Sequence, residues 1–198
     1  MPTRRALLLQ AAMFSALSAR GFAQTRGNHR LPLEPTPACG ADPAAATPAS
    51  AEGPYYARRS PRRTDLREAG IAGPVLRIGG LVLTRSCRPV AGALVDLWQA
   101  DAAGQYDTAG FRLRGHTFSD PDGRWQFETV RPGLYPGRTR HLHLKVQMPH
   151  QAVLTTQLYF PGEPRNGSDR IFDRRLLMAV GGDEETMIAR YDVVLDVS

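Results

Sequence analysis

The chain has 198 residues, 42% of them hydrophobic and 22% charged, which is enough for one domain with a substantial core and too few for two ordinary domains. Its formal net charge is +6, but three arginines lie among the first 23 residues, which hold no acidic residue, so the rest carries +3. This weak basic excess does not predict a nucleic-acid partner. The densest basic cluster, Arg58 to Arg67, lacks interleaved aromatic residues and is typical of a surface loop.

Residues 1–23 have the order of an export signal. Arg4 and Arg5 precede an apolar stretch that reaches Leu17, and small residues follow before Gln24. The paired arginines resemble the twin-arginine leader of bacteria, which a receptor reads as an address, and an ordinary secretory leader is the alternative. No later apolar run approaches the length of a membrane span. We therefore expect an exported protein, periplasmic or extracellular, without a stable membrane anchor.

Residues 24–50 are rich in Pro, Ala and Thr and show little apolar periodicity, which predicts an extended N-terminal arm. The chain has two cysteines, Cys39 in this arm and Cys87 beyond it. Since disulfides persist outside the cytoplasm, we expect one bridge between them, tying the arm to a domain that spans residues 51–198.

From Gly73 onward, short β-rich runs alternate with clusters of Gly, Pro and Asp. This pattern predicts an all-β chain, folded as an antiparallel β-sandwich with little helix. The predicted strands are 75–83, 93–99, 124–129, 141–148, 153–160 and 188–197. Asp120-Pro121-Asp122-Gly123 is a good turn between two of them.

Two segments near the C-terminus carry more detailed predictions. Apolar and polar residues alternate in 188–197, as a strand with one buried and one solvated face requires. The apolar set is Ala189, Tyr191, Val193, Leu195 and Val197, the polar set is Arg190, Asp192 and Asp196, and Val194 is the exception. Only the segment 169–178 suggests a short helix, with Ser168 or Asp169 as its cap.

A His-x-His pair, His141 and His143, lies in the strand predicted at 141–148. Residues two apart in a strand share a face, so both imidazoles can converge on a metal ion while Leu142 and Leu144 point into the core. Surface histidines also fall at this spacing by chance, and the pair alone is weak evidence for a metal site.

Two tyrosines could complete a ligand set around these histidines. Tyr135 lies in a turn six residues before His141, and Tyr106 follows a strand and a Gly-containing loop. No nearby cysteine or acidic residue would complete an ordinary zinc site. A phenolate is a hard anionic ligand that favours a trivalent ion, which makes iron(III) a sensible occupant. Taken alone, either tyrosine is more often an aromatic residue with a satisfied hydroxyl group.

Four motifs follow one another between residues 39 and 177. They are Glu52-Gly53-Pro54-Tyr55-Tyr56; Asp96-Leu97-Trp98 leading to Gly104-Gln105-Tyr106; Tyr135-Pro136-Gly137-Arg138 with His141-Leu142-His143; and Thr156-Gln157-Leu158-Tyr159-Phe160. Together they resemble the intradiol ring-cleavage dioxygenases, the family that includes protocatechuate 3,4-dioxygenase and catechol 1,2-dioxygenase. The residues before the first motif do not resemble the helical N-terminal region of the catechol 1,2-dioxygenases, so we expect a smaller, exported branch.

The resemblance implies an enzyme that uses O2 to open the ring of a small catechol-type diol between its two hydroxyl-bearing carbons, giving a muconate-type diacid. It implies a loop-built active site with one Fe(III) per chain, and it is compatible with an oligomer. The implied iron ligands are Tyr106, Tyr135, His141 and His143, of which Tyr135 leaves when substrate binds. The residues implied to surround the substrate are Arg138 and Gln157 beside its ring, and Gly53, Pro54 and Tyr55 along its pocket.

Two other functional classes fit parts of the sequence. A non-catalytic β-sandwich module of the carboxypeptidase-regulatory type would make Tyr135 a corner residue, but it leaves Tyr106 and the two histidines unexplained. A zinc hydrolase would need a carboxylate base near the histidines and a reason for the phenols.

Two residue assignments also stay open at this level. Arg138 remains cationic at any relevant pH, which suits it to stabilising negative charge on a substrate ring, but Arg140 is an adjacent competitor for that role. His116 could face the pocket or have a structural role.

Overall fold

The computed structural model of the protein describes residues 44–197, and its regular structure is almost entirely β-strand. The strands are β1 (Val75–Leu83), β2 (Leu94–Trp98), β3 (Arg114–Phe118), β4 (Arg124–Val130), β5 (His141–Gln147), β6 (Leu154–Tyr159), β7 (Ala179–Gly182), β8 (Thr186–Arg190) and β9 (Val193–Val194). Within these residues, the only helices are two short 3-10 helices, Pro164–Gly167 and Arg174–Leu176. Neither is long and apolar enough to cross a membrane. The predicted leader at 1–23 lies outside the described residues.

The strands form two sheets that share one core, so the predicted β-sandwich is confirmed. The antiparallel sheet has the order β3-β2-β5-β6. The mixed sheet has the order β4-β1-β8-β7, with β9 also paired to β1. In the mixed sheet β8 and β9 run parallel to β1, which departs from the antiparallel pattern that the sequence predicts.

The core lies between the sheets and is filled by strand residues two positions apart. Leu142, Leu144 and Val146 of β5 are fully buried and pack in one cluster with Ile78 and Phe127 of the mixed sheet. Burial of such a side chain stabilises the fold by about 1.5–3 kcal/mol. The inward face predicted for β5 is therefore confirmed, and its other face carries the two histidines.

A segment without helix or strand, residues 50–62, crosses the outer face of the antiparallel sheet, and we call it the strap. Ser50 N–H donates to the Thr155 carbonyl at 2.9 Å, and the Pro61 carbonyl accepts from His116 N–H at 3.0 Å. The strap thus lies over the histidine-bearing face of β5. Both histidines of that face are buried, at 4% and 3% exposure.

Of the predicted N-terminal arm, only residues 44–50 are described, and they contain no helix or strand. Ala44 N–H donates to the Arg85 carbonyl, and Thr47 N–H donates to the Val194 carbonyl, each at 2.9 Å. These backbone hydrogen bonds fasten this end of the arm to the mixed sheet.

The helix predicted at 169–178 does not form. The range holds one turn of 3-10 helix near its end, and Leu177 pairs with Tyr159 in an isolated bridge. Asp169, a predicted cap, instead accepts hydrogen bonds from Arg138 Nε at 2.8 Å and from Thr139 N–H at 2.9 Å. Long-range partners for this carboxylate therefore outweigh a weak local preference for helix.

The run predicted as one strand at 188–197 is broken between β8 and β9. At the break the backbone passes so close to β1 that a Cβ on Gly80 would collide with it. Asp192, predicted to face solvent, is buried instead: it accepts from Leu81 N–H at 2.9 Å and pairs with Arg190 at 3.0 Å. A buried carboxylate thus replaces part of the strand pairing, which is why the alternation fails at this residue.

The sequence does not predict β3 and β7. β3 reads Arg-Gly-His-Thr-Phe and β7 reads Ala-Val-Gly-Gly, and neither shows the apolar alternation or β-branched content that identifies a strand. Both are edge strands, ordered by pairing with β2 and β8 respectively. Their neighbours, rather than their own composition, decide their conformation.

The pairing of Cys39 with Cys87 is the first testable prediction. Cys87 is disulfide-bonded, while Cys39 lies outside the described residues. Alkylation under denaturing conditions should modify no cysteine before reduction and two after it, as read by intact mass. The bridge should stabilise the fold by about 3 kcal/mol, so Cys87→Ser should lower the melting temperature. Two thiols alkylated without reductant would refute the pairing.

Candidate metal and active site

Three side chains from two parts of the chain meet above the outer face of β5. Tyr106, on the loop between β2 and β3, places its Oη 3.2 Å from His141 Nε2 and 2.9 Å from His143 Nε2. The imidazole centroids lie 4.8 Å apart, with the ring planes at 74°. The strand period puts the two histidines on one face, as predicted, and the loop supplies the phenol.

A close backbone approach brings Tyr106 and Tyr135 into the same site. Gly104 has a φ of +83°, and a Cβ there would collide with the Leu134 carbonyl. The Asp101 carboxylate closes the turn by accepting two backbone N–H bonds, each at 2.9 Å. As a result, the ring centroids of Tyr106 and Tyr135 lie 5.7 Å apart.

The hydroxyl group of Tyr135 bonds to another tyrosine. Its Oη lies 2.9 Å from Tyr55 Oη. Tyr55 belongs to the strap, and its ring stacks on that of Tyr106 with centroids 4.5 Å apart and an interplanar angle of 12°. Three phenol rings therefore line the site, with Tyr106 against the histidines and the Tyr55–Tyr135 pair beside it.

Both histidines are held in a definite orientation. His141 Nδ1 donates to the Thr139 carbonyl at 2.7 Å, which leaves Nε2 without a proton when the ring is neutral. The ring of His143 stacks on Trp98 with centroids 4.8 Å apart, at 13°. Its Nδ1 is buried and has no hydrogen-bond partner among residues 44–197. The Nε2 atoms are thus the ones directed into the site.

Burial sets the protonation of these groups. Burial lowers the pKa of His141 to about 4, and it holds the pKa of His143 well below its usual range. Nearby positive charge on Arg138 acts in the same direction on both imidazoles. Burial also raises the pKa of Tyr106 above its ordinary value. The site therefore contains two neutral imidazoles and a phenol that would ionise only beside a compensating cation.

This donor set fits a metal ion. The Tyr106 hydroxyl has one proton, so if both Nε2 atoms are acceptors one of them lacks a donor; if His143 instead carries its proton on Nε2, its buried Nδ1 is the acceptor without a partner among residues 44–197. A cation bound by the three atoms would satisfy all of them. Among residues 44–197, no three His, Cys, Asp or Glu side chains come together to hold a metal ion, so the ordinary zinc set is not formed there. A phenol with two imidazoles suits iron(III).

Arg138 and Gln157 lie beside this cluster. Arg138 Nη2 donates to Gln157 Oε1 at 2.7 Å, and Gln157 is the direct cross-strand neighbour of His143. Arg140 is directed elsewhere, since its Nε donates to Glu163 at 2.7 Å and its Nη1 to a backbone carbonyl. The structure therefore separates the two competing arginines and puts Arg138 next to the histidines.

The strap residues singled out by the sequence differ in their contacts. Gly53 has a φ of +74°, and a Cβ added there would lie 3.4 Å from His143 Cε1, so its backbone packs against that ring. Tyr55 reaches the site through its ring and hydroxyl group. Pro54, between them, is exposed. The strap thus forms one wall of the site.

Comparison with known proteins agrees with this geometry. The family model described as "Dioxygenase" matches residues 51–197. The chain is 34% identical over 118 residues to the protocatechuate 3,4-dioxygenase beta chain of Burkholderia cepacia, covering 50% of each protein. It is 30% identical over 148 residues to the 6-chlorohydroxyquinol 1,2-dioxygenase of Cupriavidus pinatubonensis, covering 62% of this chain and 54% of that protein. The chain belongs to the intradiol ring-cleavage dioxygenase family. It spans about half the length of these curated relatives.

Solved structures of the family have the same fold. The dioxygenase domain of a dioxygenase and carbohydrate-binding protein fusion from the cellulolytic bacterium Streptomyces sp. SirexAA-E is 50% identical, with a TM-score of 0.75 over 78% of this chain and 100% of that one. The 3-chlorocatechol 1,2-dioxygenase of Rhodococcus opacus 1CP is 25% identical, with a TM-score of 0.71 over 79% of this chain and 75% of that one. A non-catalytic sandwich module is not favoured by these matches.

A polar network that sequence reasoning missed anchors the strap. Asp96 of β2 is buried and accepts from Ser60 Oγ at 2.9 Å and from Tyr56 Oη at 3.2 Å. His116 donates from Nδ1 to the Ser60 carbonyl at 2.8 Å, so the open question about this histidine resolves to a structural role. The only signal for Asp96 is a carboxylate between two apolar strand residues.

Arg114 is a second residue that the sequence did not single out. It is 2% exposed and donates to the backbone carbonyls of Tyr55 and Asp107. These carbonyls belong to the strap and to the loop that carries Tyr106. The buried guanidinium of Arg114 therefore joins the two segments that carry Tyr55 and Tyr106. No local sequence pattern around Arg114 predicts this role.

The second prediction concerns metal binding. Tyr106→Phe and His143→Ala each remove one of the three converging donors, so each should lose most of the metal that the wild-type chain retains after dialysis. His116→Ala is the matched control, because it removes an imidazole that bonds to the strap instead. Metal content per folded chain, measured by mass spectrometry, checks this. Full metal content in both Tyr106→Phe and His143→Ala would show that the metal does not bind at Tyr106, His141 and His143.

Proposed function

We propose that this chain is an Fe(III)-dependent enzyme that uses O2 to open a small catechol-type diol between its two hydroxyl-bearing carbons, giving a muconate-type diacid. The observation that carries the proposal is the convergence of Tyr106 Oη on the Nε2 atoms of His141 and His143, with Tyr135 beside them. Membership of the intradiol family supports it. The proposed content is one iron per chain, held by these four residues.

The donor chemistry supports iron in the ferric state. Phenolates are hard anionic ligands, and a trivalent ion gains more from them than a divalent ion does. Bound there, iron(III) would supply Lewis-acid polarisation and a template for the two diol oxygens. The proposed role of the histidines is to stay neutral and donate Nε2, which agrees with the lowered pKa of His141.

Proton acceptance is assigned to Tyr135. A diol that binds through both oxygens must lose its hydroxyl protons, and a tyrosinate released from its ligand role can take one of them. Tyr55 Oη, 2.9 Å from Tyr135 Oη, is placed to hold the hydroxyl group of that tyrosine once it is protonated. The strap would thereby contribute to the chemistry as well as to the proposed substrate-lining wall of Gly53, Pro54 and Tyr55.

Arg138 is assigned to charge stabilisation. Negative charge develops on the ring of an ionised diol, and a fixed guanidinium in a partly buried site stabilises it more than a mobile one in water. Gln157 holds the guanidinium at Nη2 on the side of His143. We do not propose this role for Arg140, since its guanidinium donates to Glu163 and to a backbone carbonyl.

We also propose that the enzyme acts outside the cytoplasm. The support is the leader-like order of residues 1–23 and the disulfide at Cys87, because such bonds persist in oxidising compartments. The alkylation measurement on Cys39 and Cys87 tests this as well, since two free thiols would argue against export.

The third prediction is the position of ring cleavage. Two tyrosinate ligands, Tyr106 and Tyr135, would favour the ferric state of a bound iron, so we expect O2 to react with the bound diol and the ring to open between the hydroxylated carbons. Oxygen uptake should be screened with catechol, protocatechuate, hydroxyquinol and chlorocatechol. The expected product is a colourless diacid that carries both atoms of ¹⁸O2, formed by a visibly coloured protein. A yellow semialdehyde, or a colourless zinc protein, would contradict the proposal.

The fourth prediction compares the two arginines. Arg138→Ala should keep the metal and the colour of the protein but lose turnover by about 10²–10³-fold, since one preorganised donor at a developing charge contributes about 2.7–4 kcal/mol. Arg140→Ala is the control, and it should keep kcat while losing some thermal stability through Glu163. Equal turnover losses in the two variants would show that Arg138 has no special position.

A further inference from the structure

Asp169 accepts hydrogen bonds from two adjacent residues just before β5 and from the backbone of its own loop. Its Oδ2 accepts from Arg138 Nε at 2.8 Å and from Thr139 N–H at 2.9 Å, and its Oδ1 accepts from Ile171 N–H at 3.1 Å. The carboxylate side chain is 2% exposed, against 20% for Arg138. The more exposed cation is therefore held by a buried anion that is itself fixed by the backbone.

Thr139 also links Asp169 to His141. Thr139, whose N–H bonds to Asp169, offers its carbonyl to His141 Nδ1 at 2.7 Å. The Thr139 hydroxyl group also donates to Asn166 at 2.7 Å, which joins it to the loop that carries Asp169. A displacement of Asp169 would thus shift the Arg138 guanidinium and, through Thr139, the ring of His141.

We infer that Asp169 is the positioning residue of the site: it fixes the Arg138 guanidinium over the substrate position and sets the orientation of His141 through Thr139. This inference rests on the function proposed above. Within residues 44–197, Asp169 makes no hydrogen bond to Tyr106, His141 or His143, so its proposed effect passes through Arg138 and Thr139.

The geometry requires a positioning group because Arg138 is a long side chain. Free arginine side chains sample many rotamers, and a charge that must meet a developing anion is effective only when it is fixed in advance. Asp169 accepts a hydrogen bond from Arg138 Nε and Gln157 accepts one from Arg138 Nη2. Together these two bonds fix the orientation of the guanidinium plane. Burial alone would raise the pKa of Asp169, but hydrogen bonds from Thr139 and Arg138 hold it below its ordinary value.

The chain contains a matched control for this arrangement. Asp192 is also buried, pairs with Arg190 at 3.0 Å and accepts a backbone N–H, from Leu81 at 2.9 Å. The side chains of that pair are 1% and 16% exposed, close to the values for Asp169 and Arg138. The Asp192 pair lies at the break between β8 and β9 in the mixed sheet, so it has burial and hydrogen bonding similar to the Asp169 pair but a different position.

The first test compares Asp169→Asn with Asp192→Asn. Asp169→Asn should lower kcat by about 10–100-fold with little change in KM, the usual cost of removing a group that orients a site residue. Asp192→Asn should lower the melting temperature without lowering kcat. In the Arg138→Ala background, Asp169→Asn should lower kcat by a smaller factor than it does in the wild type, because only its effect on His141 through Thr139 remains. Unchanged kcat in Asp169→Asn, or fully additive losses, would overturn the inference.

The second test does not depend on turnover. In ¹⁵N-labelled wild-type protein, the Arg138 Nε–H signal, assigned by its absence from Arg138→Lys, should exchange slowly with solvent. Asp169→Asn should make it exchange rapidly. Fast exchange in the wild type would overturn the inference even if the Asn variant fails to fold. If no diol is oxidised by the wild type, the proposed function fails, while a protected Nε–H would still show that Asp169 holds Arg138.

Discussion

The candidate site depends on the burial of both faces of β5. A strand presents alternate residues to opposite sides, and here Leu142 and Leu144 fill the core while His141 and His143 lie beneath the strap. A slip of one residue in register would exchange leucines and histidines and would leave imidazoles in the core. The hydrophobic core therefore fixes the register of the strand, and through that register it fixes the positions of the two candidate metal donors, His141 and His143.

The strap is required because the outer face of this sheet is polar and still buried. Lys145, two residues beyond His143, pairs with Glu52 and lies 4.3 Å from the ring centroid of Tyr56. Asp96 bonds two strap hydroxyl groups nearby. A buried polar group without a partner costs about 1–3 kcal/mol, so each of these contacts also specifies where the strap lies. That specificity places Tyr55 against Tyr106.

The electrostatics of the site follow from the same burial. Desolvation keeps the imidazoles neutral and the Tyr106 phenol protonated, and neutral imidazoles are the form that can bind a cation. Arg138 adds a positive charge beside them, and its carboxylate partner Asp169 holds that charge in place without entering the ligand set. In the proposed function, metal binding and charge stabilisation would thus fall to different side chains, anchored by different loops.

The sequence by itself determined the features that are local or periodic: the inward face of β5, the shared face of His141 and His143, and the ordered motifs that identify the family. Only the tertiary structure decided how Asp169 and Asp192 are used, one expected as a helix cap and the other as a solvated strand residue. Likewise, the bonds of Arg140 to Glu163 and to a backbone carbonyl settled which arginine faces the site. The physical reason is that the energy of a buried charge depends on its partners, which lie far away in sequence, whereas strand periodicity is a property of the backbone alone.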